Sequence, residues 1–437
     1  MIEAIKRFFG FGELKTDFKT EIMAGLTTFL TMAYIIIVNP LILSDAGIPL
    51  AVGLFATVMV ASISSILMGL YAKIPIALAP GMGLNAFFSY TLVLGFGHTW
   101  QTALGVVFVS GVIFMILSLP VYNVREKIVD AVPKSIRLGV ASGIGLFLAL
   151  IGLVNAGIVI SYPATVVSFG GLNWNFALFI FGLVIACLLM IKKIKGALVF
   201  SIIITSVLTF ILNTFGLVEM FVPDRIFSMP SFEGIFSMNL VSVFSISLIA
   251  PIFAFLFTDM FDSISTFMGV SQVAGLVDEN GKPKNVGKAL LVDGFSTTIS
   301  GLFGSSPGTA YIESAAGVEE GGRSGLTAVV TGLLFLPFMF LSPLLGFIPA
   351  IATAPVLVIV GFYMMSILKE MDWKDYEDSV PAFMAMLTIP FTYSISNGIV
   401  IGFISYVLIK FFVGKMKDIS PMLWGIFALS ILMLLVH

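Results

Sequence analysis

The chain has 437 residues, 59% of them hydrophobic and 11% charged, with a formal net charge of −2. A soluble domain carries about 25% charged residues, so this chain cannot clothe itself with a water-facing surface. The long, continuous apolar runs exclude a β-barrel, whose strands alternate over about ten residues.

The start, MIEAIKRFFGFGELKTDFKTE, is charged and amphipathic, unlike a cleavable signal peptide. Apolar runs of about 17–25 residues mark spanning helices. They fall near 22–43, 50–70, 101–120, 136–157, 174–191, 196–216, 245–269, 286–302, 324–345, 351–368, 379–394 and 397–413. Two further segments, 76–93 and 305–318, are interrupted by Gly and Pro and are expected to cross with shorter helices. This makes fourteen passes. A last apolar stretch, 420–436, could form a fifteenth pass, a re-entrant piece or an interfacial helix.

Loop charge tests the count. With a cytoplasmic N-terminus, the internal connections hold Lys6, Arg7, Lys15 and Lys19; Lys73; Arg125, Lys127, Lys134 and Arg137; and Lys192, Lys193 and Lys195. In the second half they hold Lys282, Lys284 and Lys288; Arg323; Lys369 and Lys374; and Lys410, Lys415 and Lys417. Only Arg225 among the 22 basic residues falls outside. Seven passes precede the external loop at 217–244 and seven follow, and an odd-numbered repeat must be inverted in the membrane. Pro80-Gly81 and Pro307-Gly308, 227 residues apart, mark matching broken segments in the two halves. Paired interruptions of this kind point to the binding site of a secondary transporter.

Four acidic residues fall well inside the spans: Asp259, Asp262, Asp293 and Glu313. A charge at the centre of a spanning helix costs about 2.5–3.5 kcal/mol on insertion scales, so such residues mark functional sites. Each is a candidate proton carrier. Asp259 and Asp262 are three apart and can share a helix face. Asp293 sits among small and hydroxyl residues, where a supporting role is as reasonable as a direct one. Glu313 follows a Gly/Ser/Pro-rich stretch, where the start of a half-helix exposes unpaired N–H groups. Backbone of this kind, around Gly308, Thr309 and Ala310, is tolerated at membrane depth only when buried or lining a cavity. Asn85 takes the equivalent place in the first half, with an amide that both donates and accepts. Phe87, Phe88, Phe261 and Tyr311 are close enough in sequence to stack on a planar ligand, although packing is the default for any one of 42 Phe.

Other signals are set aside. Gly81-Met82-Gly83 follows no strand of a βαβ unit and is no dinucleotide fingerprint. No Walker motif, metal-ligand spacing or nucleophile–base pair is present, so neither a cofactor nor an enzyme is expected, and nothing points to nucleic acid. The single Cys187 excludes an intramolecular disulfide framework. Residues 369–378 read as a solvated loop and Glu319–Arg323 as a tight internal turn.

The motifs TDMFDS (258–263), YIESAAGVEEGGRSGLTAVVTGLLF (311–335) and APGMGLNAFF (79–88) resemble those of the AzgA-like purine permeases of the nucleobase-ascorbate transporter superfamily. The resemblance runs over nearly the whole chain. It implies an all-α, uracil-permease-like fold of two inverted seven-helix repeats. The core would comprise 22–125 and 245–345, and the gate 126–216 and 346–437, with residues 1–21 a cytoplasmic N-terminus. The broken segments would pair as short antiparallel strands followed by half-helices. It also implies a multi-pass plasma-membrane importer of purine bases such as guanine, hypoxanthine, adenine or xanthine. The family couples transport to protons, and its members are often homodimers. By motif, Asp259, Glu313 and Asn85 match the family's base-binding positions, and Asp293 matches a further acid. The stretch SSPGTAYIE is poorer in Thr than in relatives, which bears on substrate preference. An anion transporter of the same architecture and a channel are the competing expectations.

Overall fold

The computed structural model describes residues 2–119, 132–277 and 283–436. The boundary expected at residue 125, and Arg125, Lys127 and Lys282, lie outside the described residues. Two short helices, Ile2–Phe8 and Phe11–Leu14, precede the bundle. The first half then contains α1 (Phe18–Asp45), α2 (Leu50–Ala72), strand β1 (Leu78–Pro80), α3 (Met82–Gly95), α4 (Trp100–Ser118), α5 (Lys134–Asn155), α6 (Trp174–Ile191) and α7 (Ala197–Thr214). Strands β2 (Val159–Tyr162) and β3 (Val166–Phe169) form a hairpin between α5 and α6. The second half contains α8 (Ile246–Ala274), α9 (Val286–Phe303), β4 (Gly308–Ala310), α10 (Ser314–Glu319), α11 (Gly325–Phe340), α12 (Ala350–Glu370), α13 (Tyr376–Thr392) and α14 (Ile395–Phe412). A last helix, α15 (Pro421–Val436), packs on α14.

Among the described residues, nine helices are long and apolar enough to cross a membrane, and α3 and α11 are shorter apolar helices. The broken segments fall where Gly and Pro predicted them. The first span begins earlier than expected and is not one straight helix: its hydrogen-bond ladder is interrupted at Ala33–Tyr34. Further along, Pro40 lies inside the second part, Ile35–Asp45, where it cannot donate to the carbonyl of Ile36. The hairpin at 159–169 is an element that the apolar runs did not predict.

The packing repeats. The pairs α1–α2, α2–α11, α1–α11, α1–α10 and α6–α7 each have a counterpart with both members moved seven places around the series: α8–α9, α9–α4, α8–α4, α8–α3 and α13–α14. The pair α5–α12 is its own counterpart. The fold is therefore an inverted seven-plus-seven repeat. Between helices with no hydrophobic drive to associate, small residues set the closest approaches. Gly69 of α2 meets Gly325 at the start of α11 backbone to backbone, and Gly145 of α5 meets Gly361 of α12 in the same way.

The two halves join at a two-stranded antiparallel sheet. Leu78 faces Ala310, Ala79 faces Thr309 and Pro80 faces Gly308. Bonds from Gly81 N–H to the Pro307 carbonyl (2.9 Å) and from Tyr311 N–H to the Ala77 carbonyl (3.0 Å) extend the ladder. So short a sheet has outward-facing backbone groups with no third strand to satisfy them, a costly state at membrane depth. Hydroxyl groups take that place. Ser65 of α2 accepts from Leu78 N–H at 2.9 Å and lies 3.0 Å from its carbonyl. Ser263 of α8 accepts from Ala310 N–H at 3.1 Å. Thr297 of α9 reaches the Gly308 carbonyl at 3.0 Å, and the Tyr311 hydroxyl donates to the Pro80 carbonyl at 2.5 Å.

Candidate functional site

The acids chosen from the sequence gather around this sheet. Asp259 lies midway along α8 and is 1% exposed. Its Oδ2 accepts from the Thr297 hydroxyl at 2.5 Å, while Oδ1 has no hydrogen-bond partner. Asp293 of α9 is fully buried, and neither of its carboxylate oxygens meets hydrogen-bond geometry. It stands close enough to Asp259 to interact electrostatically, with Ser263 nearby. Ser263 shares a hydrogen bond of 2.7 Å with Thr309 of β4. Asp262, one turn beyond Asp259, is half-buried and lies within electrostatic reach of Glu313.

Glu313 immediately precedes α10 and is half-buried. Its Oε1 accepts from the Tyr34 hydroxyl at 2.6 Å, a contact between segments 279 residues apart. The structure therefore brings Asp259, Asp262, Asp293 and Glu313 to one place, with Gly308, Thr309 and Ala310 forming the strand between them.

Asn85 lies at the end of the first turn of α3, fully buried. Its Nδ2 approaches Met82 Sδ at 3.7 Å and its Oδ1 is unpartnered. It makes no hydrogen bond to the acids. Phe87 and Phe88 are fully buried, Phe87 edge-on to Phe255 at 4.7 Å. They belong to helix packing in this conformation. Phe261 is 6% exposed and lies 4.6 Å from Phe257, with the Arg137 guanidinium over its ring at 5.4 Å. Tyr311 is committed to Pro80 and is nearly buried.

Several supporting residues were not singled out by sequence. Tyr34 and Thr297 hold the acids. Asn39, fully buried on α1, donates to Thr57 (2.8 Å) and Ser305 (3.2 Å) and accepts from Ser306 (3.2 Å). It anchors the approach to β4. Glu21, near the start of α1, is fully buried, as Asp259 and Asp293 are. It accepts from the backbone N–H groups of Arg323, Ser324 and Thr327 and from the hydroxyls of Thr16 and Thr327, at 2.6–3.3 Å. All but the Thr16 hydroxyl are donors at the start of α11, where a carboxylate is favoured by both hydrogen bonding and the helix dipole. Lys410, expected in a basic connection, occupies the last turn of α14, where it pairs with Glu377 and Asp378 at 3.0 Å. The turn at Glu319–Arg323 is present, and Lys195 bridges to Glu320 at 2.5 Å.

Comparison with known proteins agrees with this architecture. The model of the Permease family (Xan_ur_permease) matches residues 19–401. The chain is 42% identical to the guanine/hypoxanthine permease PbuG of Bacillus subtilis (strain 168), over 98% of this chain and 99% of the relative. It is 41% identical to the adenine permease AdeP of Escherichia coli (strain K12), over 95% of this chain and 93% of the relative. Among solved structures, the transmembrane domain of the cyanobacterial bicarbonate transporter BicA superposes with a TM-score of 0.66 at 15% identity, covering 89% of this chain and 98% of that domain. At that identity the likeness is one of fold. The chain is a membrane permease, not an enzyme, and belongs to the Permease family.

Proposed function

We propose that the protein imports purine nucleobases, with guanine, hypoxanthine and adenine as the substrate class, and couples their uptake to protons. The observation that carries this reading is the meeting of Glu313, Asp262, Asp259 and Asp293 at the β1–β4 joint, in a chain related along its length to permeases named for those bases. A purine is flat and edged with N–H donors and ring acceptors. Carboxylates accept from the donors, and backbone groups around Gly308 to Ala310, with the Asn85 amide, serve the acceptors. Recognition by buried polar groups rejects an analogue lacking a donor, because the partner would be left unpaired.

The base is uncharged, so accumulation needs a coupled ion. Carboxyl groups in a buried cluster are the residues suited to exchange a proton, with Asp259, Asp262, Asp293 and Glu313 as the carriers to test. Helices α1–α4 and α8–α11 act as the core and α5–α7 and α12–α14 as the gate, and the core slides against the gate to expose the site to either side. The protein works in the plasma membrane with a cytoplasmic N-terminus, as a homodimer.

The test is uptake of labelled hypoxanthine by proteoliposomes. An inward proton gradient is expected to raise the initial rate several-fold, and an inward sodium gradient alone to leave it unchanged. A response to sodium alone refutes proton coupling. Bicarbonate or sulfate uptake without purine uptake refutes the substrate class.

A further inference from the structure

We infer that Tyr34 is a positioning residue of the substrate site, which fixes Glu313 so that one carboxylate oxygen is held and the other is presented to the base. The inference rests on the proposed role of Glu313.

Tyr34 lies where the helical ladder of α1 is interrupted, between Phe18–Met32 and Ile35–Asp45. The turn is tight: Ile37 N–H and Val38 N–H both bond the Tyr34 carbonyl, at 3.1 and 3.0 Å. The side chain is 1% exposed, although its polar tip requires a partner at membrane depth. That partner is Glu313 Oε1 at 2.6 Å, in the range of a hydrogen bond to an ionised carboxylate. Among the described residues Tyr34 is the one side chain that donates to the Glu313 carboxylate, and the other contribution comes from the backbone N–H of Glu313 itself.

Two further contacts bring α1 and the Glu313 segment together in this orientation. Thr31, one turn before Tyr34, approaches the Glu313 carbonyl at 3.4 Å. Gly317, one turn along α10, packs so closely on Thr28 and Ala24 that a Cβ there would collide with both. The half-helix is thus seated on α1, and Tyr34 selects the carboxylate's orientation within that seat. A freely rotating glutamate would have to be ordered by each arriving base; one already held pays less of that cost on binding.

The test is Tyr34→Phe, which keeps the ring and removes the hydroxyl. The KM for hypoxanthine in proteoliposomes is expected to rise about tenfold, in line with a lost hydrogen bond to a charged group. Vmax per folded transporter and thermal stability without ligand should stay near wild type. Combined with Glu313→Gln, the tyrosine change should alter KM by less than about twofold, because the group it positions is gone. A KM unchanged in Tyr34→Phe, or raised equally in both backgrounds, overturns the inference. A lowered yield with KM intact also overturns it, since it marks a purely structural tyrosine. If Glu313→Gln uptake is too slow for a KM, the Kd of Tyr34→Phe for hypoxanthine decides, and an unchanged Kd overturns the inference. Normal uptake by Glu313→Gln instead rejects the base-binding role of Glu313 itself.

Discussion

The two strands of the central joint are alike in backbone and unlike in chemistry. β1 leads into α3, which is apolar and carries the neutral Asn85; its later part, Phe87–Gly95, is wound as a π-helix. β4 leads into α10, six residues long, preceded by Glu313 and ending in Glu319. β1 ends at a Pro-Gly pair and β4 begins at one, and Pro80 faces Gly308 across the sheet. The inverted repeat has kept the geometry and divided the labour. One half supplies an amide and apolar packing, and the other supplies acids. Under the function proposed above, a base with a donor edge and an acceptor edge would meet acids from one half and an amide from the other.

The strongest challenge to this asymmetry is a pair of substitutions at equivalent places. Glu313→Gln is expected to lower hypoxanthine uptake about a hundredfold or more, and Asn85→Ala about tenfold, with folded protein retained in both. Equal losses would mean that the halves contribute alike. Next come the glycines. A Cβ on Gly308 would strike Ser296 Oγ, while one on Gly81 would meet Thr309 Cγ2 at 2.6 Å. Gly308→Ala should reduce both uptake and thermal stability, and Ser296→Ala in the same protein should restore part of each. Absence of any rescue would show that the crowding lies elsewhere. The smallest effects belong to the contacts that brace the acidic half from α1. Glu21→Gln should destabilise the protein by about 1–3 kcal/mol, since several donors lose a charged acceptor. Thr331→Val removes a neutral hydroxyl shared between the Gly25 carbonyl at 3.0 Å and the Thr327 carbonyl at 2.9 Å, and should cost about 0.6 kcal/mol. Both are read from thermal or denaturant unfolding in detergent, and the comparison fails if their order is reversed.

The span pattern was legible because the bilayer demands long apolar runs, and the broken segments because Pro80-Gly81 and Pro307-Gly308 cannot continue a helix. The acids stood out because charge is rare at that depth. Tyr34, Thr297 and Asn39 did not. Tyrosine and threonine cost little in a spanning helix, and Asn39, unlike Asn85, lies beside no broken segment, so none of the three carries a signal until the neighbour is known. Tyr34 finds its neighbour 279 residues away. Glu21 looked like one more charge in a charged N-terminal stretch, and only the fold shows that its carboxylate is buried against the start of α11. The β2–β3 hairpin was missed because four-residue strands leave little periodicity to detect.

The β1–β4 sheet also bears on how the protein is made. Ala79 pairs with Thr309, 230 residues later in the chain. At translation rates of about 5–20 residues per second, β1 waits roughly 12–46 s before its partner has been synthesised. Through that interval its backbone groups have no strand to bond, in a setting where each unsatisfied group costs several kcal/mol. Ser65, only thirteen residues upstream of Leu78, is available at once and satisfies both polar groups of that residue in the finished protein. The hydroxyls that finish the sheet's edges in the mature permease thus include one that can serve as a temporary partner during membrane insertion.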